Sequence, residues 1–391
     1  MQPIALHVDR ALTPFEEISD AIILILGERI VAVGKRGKVD VPRGTREIAR
    51  KGLTAVPGFV DVHIHGAGGH DVMEGTAEAL EIIAATVARH GTTSFVATTV
   101  TASEIETCER VAGIARFILK SSEFPPREAA AEILGIHFEG PFISKAKRGV
   151  HPEEWIVPPS TELLSRFLNE ARGTGKILTL APELPGAMEL IVAARQAGLV
   201  ISLGHTDATY EQAMAAIEAG ATHAAHVFNA MRPFSHRETG VIGAVLTSPK
   251  VSAELIADGV HVDEADMRML VELKTPERMI LVSDGTSATG MPDGKYQLGL
   301  FQVEVTGGVC RSAEGKLAGS TLTLDLALRN MVAMGVPLAS ALQMVTYNPA
   351  RQIGVGLRKG TLAAGADADL VLLDDKLEIA GVMTRGTGDF Q

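Results

Sequence analysis

Short apolar segments alternate with glycine and charged residues near both ends of the chain, which is the pattern of antiparallel β-strands. Near the N-terminus this pattern covers Ile22–Val41, and near the C-terminus a strand is predicted after the glycine-rich turn within Gly360–Asp374. Each region alone has too few strands to be stable. We therefore expect the two ends of the chain to pair into one small β domain, and two unrelated surface hairpins are the alternative.

Between these ends, apolar segments of strand length alternate with helical patterns. Helices are predicted over Thr76–His90, Thr161–Ala171, Met188–Ala197 and Tyr210–Ala219, and each ends near a glycine, a common helix stop signal. Eight repeats of strand and helix are typical of a (β/α)8 TIM-like barrel, whose active site lies at the C-terminal ends of its strands. The eight predicted strands are Val56–His65, Thr93–Thr99, Ile133–Glu139, Ile177–Pro182, Val200–His205, Thr222–Val227, Val251–Ala257 and Met279–Asp284.

The order of elements therefore predicts an α/β protein, a (β/α)8 barrel with a small β-sandwich domain built from both termini. We place the N-terminal part of the sandwich at residues 1–53, the barrel at 54–354 and the C-terminal part of the sandwich at 355–391. An open doubly wound sheet is the alternative, but it would not gather polar residues from strands one, three, five, six and eight around one centre. The segment Gly285–Gly308 is rich in glycine and polar residues and is predicted to form either a flap or a small hairpin.

Composition and charge narrow the function classes. The chain has 391 residues, 46% of them hydrophobic, and a formal net charge of −11, which disfavours nonspecific binding to nucleic acid or to an anionic membrane. Cys108 and Cys310 are far apart and form no CxxC motif, so we expect no disulfide framework and a reducing, cytoplasmic location. The sequence shows no signal-peptide pattern and no run of about 18 apolar residues, so we expect no membrane segment.

Polar side chains close several of the predicted strands. His63 and His65 end the first strand, and because they are two residues apart both face the same side. Glu139 ends the third strand, where a carboxylate would be costly to desolvate without a cation. His205 and His226 end the fifth and sixth strands and complete a Glu/His/His set suited to Zn²⁺ or Fe²⁺. We therefore predict a metal centre at the mouth of the barrel.

Asp284 ends the eighth predicted strand and is the candidate acid/base. A carboxylate there can take a proton from the attacking water and deliver it to the leaving nitrogen; a cap for the following segment is the alternative. His223 lies three residues before His226, so on a strand we expect it to point away from the site and to be structural. Together, these residues favour a metal-dependent hydrolase of an amide or ester.

Several motifs carry a resemblance to a known family. They are Pro57–His65, Glu139–Pro141, Gly204–Thr206, His226–Met231 and Ser283–Asp284, with a closing segment Gly360–Leu370. Over nearly its whole length the chain resembles the amidohydrolase superfamily and, within it, the N-acetylglucosamine-6-phosphate deacetylase family. The HFEGPF and HVFNAM segments carry the narrower resemblance.

This resemblance implies deacetylation of N-acetyl-D-glucosamine 6-phosphate in amino-sugar catabolism and cell-wall sugar recycling. Deacetylation of the galactosamine epimer, or hydrolysis of another N-acyl substrate, is the alternative. A non-catalytic scaffold is disfavoured, because candidates are intact at every ligand position and at Asp284.

The resemblance also implies roles for individual residues. His151 resembles a histidine that contacts the substrate and polarises its acetyl carbonyl. Arg237 would supply charge for a phosphate group. His261 resembles a sugar-phosphate contact that the neighbouring subunit can provide, which implies a homodimer. The substrate-binding residues that follow from the resemblance are Val150, His151, Asn229, Ala230, Arg237, His261, Leu317, Ala318 and Gly319.

The number of metal ions is left open by the sequence. Some related deacetylases replace the first histidine of the HxH pair and hold one ion, whereas this chain keeps both His63 and His65. No lysine ends a middle strand in the manner of a carboxylated bridging lysine, so Glu139 must supply any bridge. We expect a well-occupied Zn or Fe site at Glu139, His205 and His226, and a weaker second site at His63 and His65.

Overall fold

Eight parallel strands form the central sheet of the computed structural model, which describes residues 2–121 and 129–388. Each strand pairs in parallel with the next one along the chain. The predicted barrel architecture is confirmed, although most strands are shorter than predicted because the chain turns before the polar residue. The barrel strands, numbered one to eight below, are Phe59–Ile64, Thr92–Thr99, Glu132–Glu139, Gly175–Leu180, Val200–Leu203, Ala221–Ala224, Ser252–Leu255 and Met279–Leu281.

Hydrogen bonds between the ends of strands one and eight close the barrel. The backbone N–H of Asp284 donates to the carbonyl of His63 at 2.9 Å, and the N–H of His65 donates to the carbonyl of Gly285 at 2.8 Å. Deeper in the barrel, the buried Asp61 carboxylate accepts from the backbone N–H groups of His63 and Ser283. This seam therefore holds the predicted HxH pair and the predicted acid/base at a fixed separation.

The helices pack their apolar faces against this sheet. The four predicted helices are present as Ala77–Ala88, Thr161–Ala171, Ala187–Gln196 and Tyr210–Ala219. Within the described ranges, none of the helices combines the length and apolarity that a membrane crossing requires. The other helices are Glu104–Ser121, Gly240–Thr247, Glu264–Lys274, Leu324–Ala333, Leu338–Val345 and Tyr347–Gln352, with short 3₁₀ turns at Val72–Glu74, Lys145–Lys147, Glu153–Trp155 and Pro276–Arg278.

The two ends of the chain pair into one small domain, as expected. The C-terminal strand Leu370–Leu373 runs antiparallel to Arg46–Pro57 from the N-terminal part. The strands of this domain are hydrogen-bonded as one seven-stranded sheet with a hydrophobic cluster on one face. Its other strands are Ile4–Leu12, Glu17–Leu26, Arg29–Lys35, Ile379–Thr384 and Thr387–Gly388.

The first barrel strand was predicted to begin at Val56, and this boundary is wrong. Val56 and Pro57 pair with Val371 and Leu370 in the small domain. The chain changes sheet at Gly58, whose N–H donates to the carbonyl of Asp369 at 3.0 Å. One apolar run thus serves two sheets. Hydrophobic periodicity does not show where the hydrogen-bonding partner changes, although Pro57 and Gly58 interrupt the run at that point.

The glycine-rich segment after strand eight forms a small antiparallel sheet. Its strands are Gly294–Leu298, Phe301–Thr306 and Val309–Ser312. Their buried side chains pack with Val100 and Ala102, which follow strand two. Of the two forms predicted for Gly285–Gly308, the hairpin is the one observed, extended by a third strand.

A cluster of buried charges joins the barrel to the small domain. The fully buried ammonium group of Lys359 lies 2.6 Å from Glu132, 2.8 Å from Asp367 and 2.6 Å from Asp369. Glu132 begins strand three of the barrel, whereas Asp367 and Asp369 directly precede the strand Leu370–Leu373. Arg358 adds a second cation beside Glu132 and Asp367. Burial makes each of these charges dependent on its partners.

We predict that Lys359→Met lowers the free energy of unfolding by about 3–5 kcal/mol, because it removes the cation paired with the buried Asp369 and one of the cations beside Glu132 and Asp367. Urea denaturation monitored by circular dichroism measures this change. Lys316→Met is the matched control, since Lys316 pairs with Glu314 at an exposed position and its loss should cost below about 0.5 kcal/mol. Equal effects of the two substitutions would contradict a structural role for the cluster.

Candidate active site

Three of the predicted site residues lie at turns that directly follow barrel strands. His205, His226 and Asp284 have backbone φ angles of +48°, +26° and +49°. This left-handed region costs an ordinary L-residue about 1–2 kcal/mol. Such strain persists only where the surrounding structure imposes it, and it concentrates at functional sites. Here the strained residues are three predicted site residues, each just after a different strand. This strain therefore supports a functional site at the mouth of the barrel.

Three of the predicted metal ligands converge on one point. Glu139 Oε1 lies 3.1 Å from His205 Nε2 and 3.0 Å from His226 Nε2, and the two ring nitrogens are 3.2 Å apart. Ligand atoms at 2.0–2.1 Å from a tetrahedral Zn²⁺ are about 3.3 Å from one another. The three atoms therefore have the mutual spacing that a bound divalent ion requires.

A second group of atoms lies beside the first. His65 Nε2 is 3.1 Å from Asp284 Oδ1 and 3.4 Å from Glu139 Oε2. His63 Nε2 is 3.3 Å from Glu139 Oε1 and 3.6 Å from Asp284 Oδ1. Glu139 thus faces both groups, since Oε1 lies near His205, His226 and His63 and Oε2 lies near His65. A carboxylate in that position can bridge two ions.

The outer hydrogen bonds of the histidines turn their lone pairs toward this centre. His205 Nδ1 lies 3.0 Å from the carbonyl of Lys147, and His65 Nδ1 lies 3.1 Å from the carbonyl of Thr98. A carbonyl only accepts, so in the neutral ring each Nδ1 carries the proton and each Nε2 keeps its lone pair. Lone pairs that face carboxylate oxygens repel them unless a cation lies between. This donor set therefore fits a metal centre.

The charges of the site are strongly coupled. Burial acts to raise the pKa of Glu139, but the nearby His63 and the close contacts with His151 and His205 hold it well below its usual range. Burial lowers the pKa of His205 to about 4, despite its close contact with Glu139. For Asp284, burial is opposed by the close contact with His65, and its pKa is lowered. At neutral pH the site therefore presents ionised carboxylates and a neutral His205.

His151 is also in the site, but its contacts favour the opposite tautomer of the neutral ring. Its Nδ1 lies 3.3 Å from the backbone N–H of Thr101, which can only donate, and 2.8 Å from the Thr101 hydroxyl. Nδ1 therefore accepts, and the proton of the neutral ring is on Nε2, which lies 3.4 Å from Glu139 Oε2. His151 is thus a hydrogen-bond donor into the site, unlike His65 and His205.

One cleft of about 200 Å³ opens over these atoms and contains most of the predicted substrate-binding residues. Ala318 does not line it, because its side chain is buried in the cluster beneath the small three-stranded sheet. Arg237 also lies outside the lining, on an exposed loop. The predicted substrate-binding residues that line the cleft are Val150, His151, Asn229, Ala230, His261, Leu317 and Gly319.

His261 lines the cleft of its own chain. The physical reason is the turn after strand seven. The carboxylate of Asp258 accepts from the backbone N–H of His261 at 2.9 Å and contacts its Nδ1 at 2.7 Å. These bonds hold the imidazole beside the cleft.

Sequence reasoning missed Glu254 and gave a wrong orientation for His223. Glu254 is fully buried on strand seven and contacts His63 Nδ1 at 2.8 Å and His223 Nε2 at 2.7 Å. His223 is not in the ligand group, but it lies beneath the site rather than pointing away. Strand six ends at Ala224, so the alternation of a strand does not extend to His226. The charge within the apolar run Val251–Ala257 was the signal for Glu254.

Comparisons with known proteins agree with this geometry. The Amidohydrolase family matches residues 54–387. An N-acetylglucosamine-6-phosphate deacetylase from Lysinibacillus sphaericus is 39% identical over 347 residues, which cover 88% of this chain and 87% of that protein. An N-acetylgalactosamine-6-phosphate deacetylase from Escherichia coli O157:H7 is 38% identical, over 84% of this chain and 86% of that protein.

Solved structures show the same relationship over the full length. A variant of N-acetyl-D-glucosamine-6-phosphate deacetylase from Mycobacterium smegmatis, in complex with N-acetyl-D-glucosamine-6-phosphate, superposes with a TM-score of 0.92 at 38% identity and covers 99% of both chains. The enzyme from Pasteurella multocida gives a TM-score of 0.91 at 31% identity, again over 99% of both chains. With a matched family region that spans the barrel and relatives aligned over most of their length, this chain belongs to the amidohydrolase family.

Proposed function

We propose that this protein hydrolyses the acetamide of N-acetyl-D-glucosamine 6-phosphate to D-glucosamine 6-phosphate and acetate. The observation that carries this proposal is the buried group of imidazole nitrogens and carboxylates at the barrel mouth, in a chain related to deacetylases of amino-sugar phosphates. Such a group is suited to the activation of water against an amide. The related galactosamine-6-phosphate deacetylase makes the C4 epimer the second candidate substrate.

Glu139, His205 and His226 would hold the principal metal ion, and His63 and His65 a second one. A bound divalent ion, Zn or Fe, lowers the pKa of water and polarises the carbonyl of the amide. The side chains that surround it fix the position of the substrate and the path of the proton. The mutual spacing of 3.0–3.2 Å among Glu139 Oε1, His205 Nε2 and His226 Nε2 supports this ligand set.

Asp284 is the proposed acid/base. Its Oδ1 lies 3.1 Å from His65 Nε2 at the edge of the cleft. An ionised carboxylate there takes the proton of the attacking water on an oxygen and then delivers it to the departing nitrogen, so that glucosamine leaves as an amine. The seam between strands one and eight holds this carboxylate in place, because the backbone N–H of Asp284 donates to the carbonyl of His63.

His151 is proposed to stabilise the negative charge that develops on the acetyl oxygen. Its Nε2–H is directed into the site by the Thr101 contacts to Nδ1. A donor aimed at an oxyanion is worth more in the transition state than in the ground state. The sugar would lie against Val150, Leu317 and Gly319, with the phosphate toward Asn229, Ala230 and His261, all of which line the cleft.

We also propose a homodimer in a reducing cytoplasm. Arg237 is exposed and lies outside the cleft of its own chain. If it binds the substrate phosphate, it does so in the cleft of a second copy. Both cysteines are free thiols, which agrees with a reducing compartment. Light scattering of the purified protein measures the number of copies.

We predict that Asp284→Asn lowers kcat by at least about 100-fold with metal content unchanged, because the amide cannot carry the proton. Asparagine is the suitable replacement, since it tolerates the left-handed backbone at this position. Acetate release and metal analysis on one sample measure both effects, with the exposed Asp266→Asn as control. A variant that keeps a tenth of the wild-type rate would exclude Asp284 as the proton carrier.

His151→Asn should lower kcat by about 100-fold or more while it changes KM less, since the lost hydrogen bond strengthens in the transition state. Thr101→Val keeps the backbone donor to Nδ1 and should cost less than about tenfold. Steady-state kinetics with the phosphorylated sugar compare these variants with the exposed His236→Gln. If Thr101→Val is as inactive as His151→Asn, the proposed tautomer is wrong.

Arg237→Gln should raise KM for the phosphorylated sugar and leave the slow hydrolysis of unphosphorylated N-acetylglucosamine unchanged, because only the phosphate needs its charge. Acetate release from both sugars tests this expectation. Arg268→Gln is the matched control, since Arg268 is an exposed arginine paired with Glu264. An unchanged KM for the phosphorylated sugar would remove Arg237 from the phosphate site.

A further inference from the structure

Glu254 lies on strand seven, Ser252–Leu255, which contributes none of the proposed metal ligands. Its side chain is fully buried and both of its oxygens are engaged. Oε1 lies 2.7 Å from His223 Nε2. Oε2 lies 2.8 Å from His63 Nδ1 and 3.0 Å from the backbone nitrogen of His226. One carboxylate therefore contacts two different strand ends beneath the site.

The contact with Glu254 decides which nitrogen of His63 faces the site. An ionised carboxylate only accepts, so His63 donates from Nδ1 and keeps the lone pair on Nε2. That Nε2 is buried and has no hydrogen-bond partner among the described residues. It lies 3.3 Å from Glu139 Oε1 and 3.6 Å from Asp284 Oδ1. In the neutral ring, a lone pair between two acceptor groups is stabilised when a metal ion lies among them.

The same oxygen of Glu254 also fixes the turn that carries His226. The backbone N–H of His226 donates to Oε2, and its φ angle of +26° is far from the regions that an L-residue prefers. The next residue, Val227, donates its N–H to the backbone carbonyl of Glu254 at 3.0 Å. Strand seven thus holds His226 by main chain and side chain together.

We propose that Glu254 is a positioning residue of the metal centre, which orients His63 to bind the second ion beside the Glu139, His205 and His226 site. This inference rests on the proposed metal-dependent function and deepens it. Carboxylate partners of this kind fix the tautomer of a ligand histidine and raise its basicity, and their loss lowers metal affinity by about 10–100-fold. Nothing in this role requires Glu254 to touch the substrate.

The test is a metal titration of the full chain after treatment with a chelator. Zn²⁺ is added in competition with a chromophoric indicator, so that each binding step yields its own dissociation constant. We expect two steps for the wild type, and a second step about 10–100-fold weaker in Glu254→Ala. His63→Asn identifies the step that belongs to His63. In that background Glu254→Ala should add little, because the two residues act on the same ion.

Two further variants separate positioning from a structural role. In Glu254→Gln the amide oxygen can still accept from His63 and His226. The amide N–H can donate to His223 Nε2 if the proton of His223 moves to Nδ1, which has no partner among the described residues. This variant should retain more affinity than Glu254→Ala, with the second step weaker by about tenfold. Thr179→Val removes a similarly buried bond inside the barrel, from Thr179 to His137 Nε2 at 2.7 Å, and should leave both steps unchanged.

The melting temperature of the metal-free protein shows whether each variant folds. If Glu254→Ala does not fold, the second dissociation constant of Glu254→Gln is the test. A second step that is as strong in Glu254→Gln as in the wild type would overturn the proposal, and so would a wild type that binds a single ion. A protein that binds two ions with the expected dependence on Glu254 but releases no acetate would contradict the proposed substrate and leave the role of Glu254 supported.

Discussion

The carboxylate of Glu139 lies within 3.0–3.4 Å of ring nitrogens from five histidines, and the rest of the site is arranged around that contact. A buried carboxylate is costly unless positive charge compensates it. As neutral rings, His63, His65 and His205 cannot supply that charge, since outer acceptors hold their protons on the far nitrogen. The geometry is therefore stable as a metal centre and poorly explained as a set of ordinary hydrogen bonds.

The tautomers divide these histidines into two functional kinds. His65 and His205 give their Nδ1 protons to backbone carbonyls and present lone pairs to the centre. His151 receives a backbone N–H on Nδ1 and presents a proton instead. Chemically identical side chains at similar distances from Glu139 can thus serve as ligands or as an oxyanion donor. The main-chain atom that contacts Nδ1 determines which tautomer each ring adopts.

The barrel supplies the rigidity that this arrangement needs. His205, His226 and Asp284 occupy strained backbone conformations, and strain of this kind is maintained only by a framework that over-determines it. The seam between strands one and eight provides part of that framework, through main-chain bonds and the buried Asp61. The Lys359 cluster ties Glu132, at the opposite end of strand three from Glu139, to the small domain.

The sequence by itself determined the period of strands and helices, and hence the barrel, because hydrophobic periodicity is a local property. It also determined which polar residues end the strands, since a charge at the end of an apolar run is visible without a structure. Only the tertiary structure decided that Val56 belongs to the small domain, that His223 lies beneath the site and that Glu254 links His63 to His226. These facts depend on contacts between residues far apart in the chain. A sequence records the residue types, but the partner of each ring nitrogen exists only once the strands are side by side.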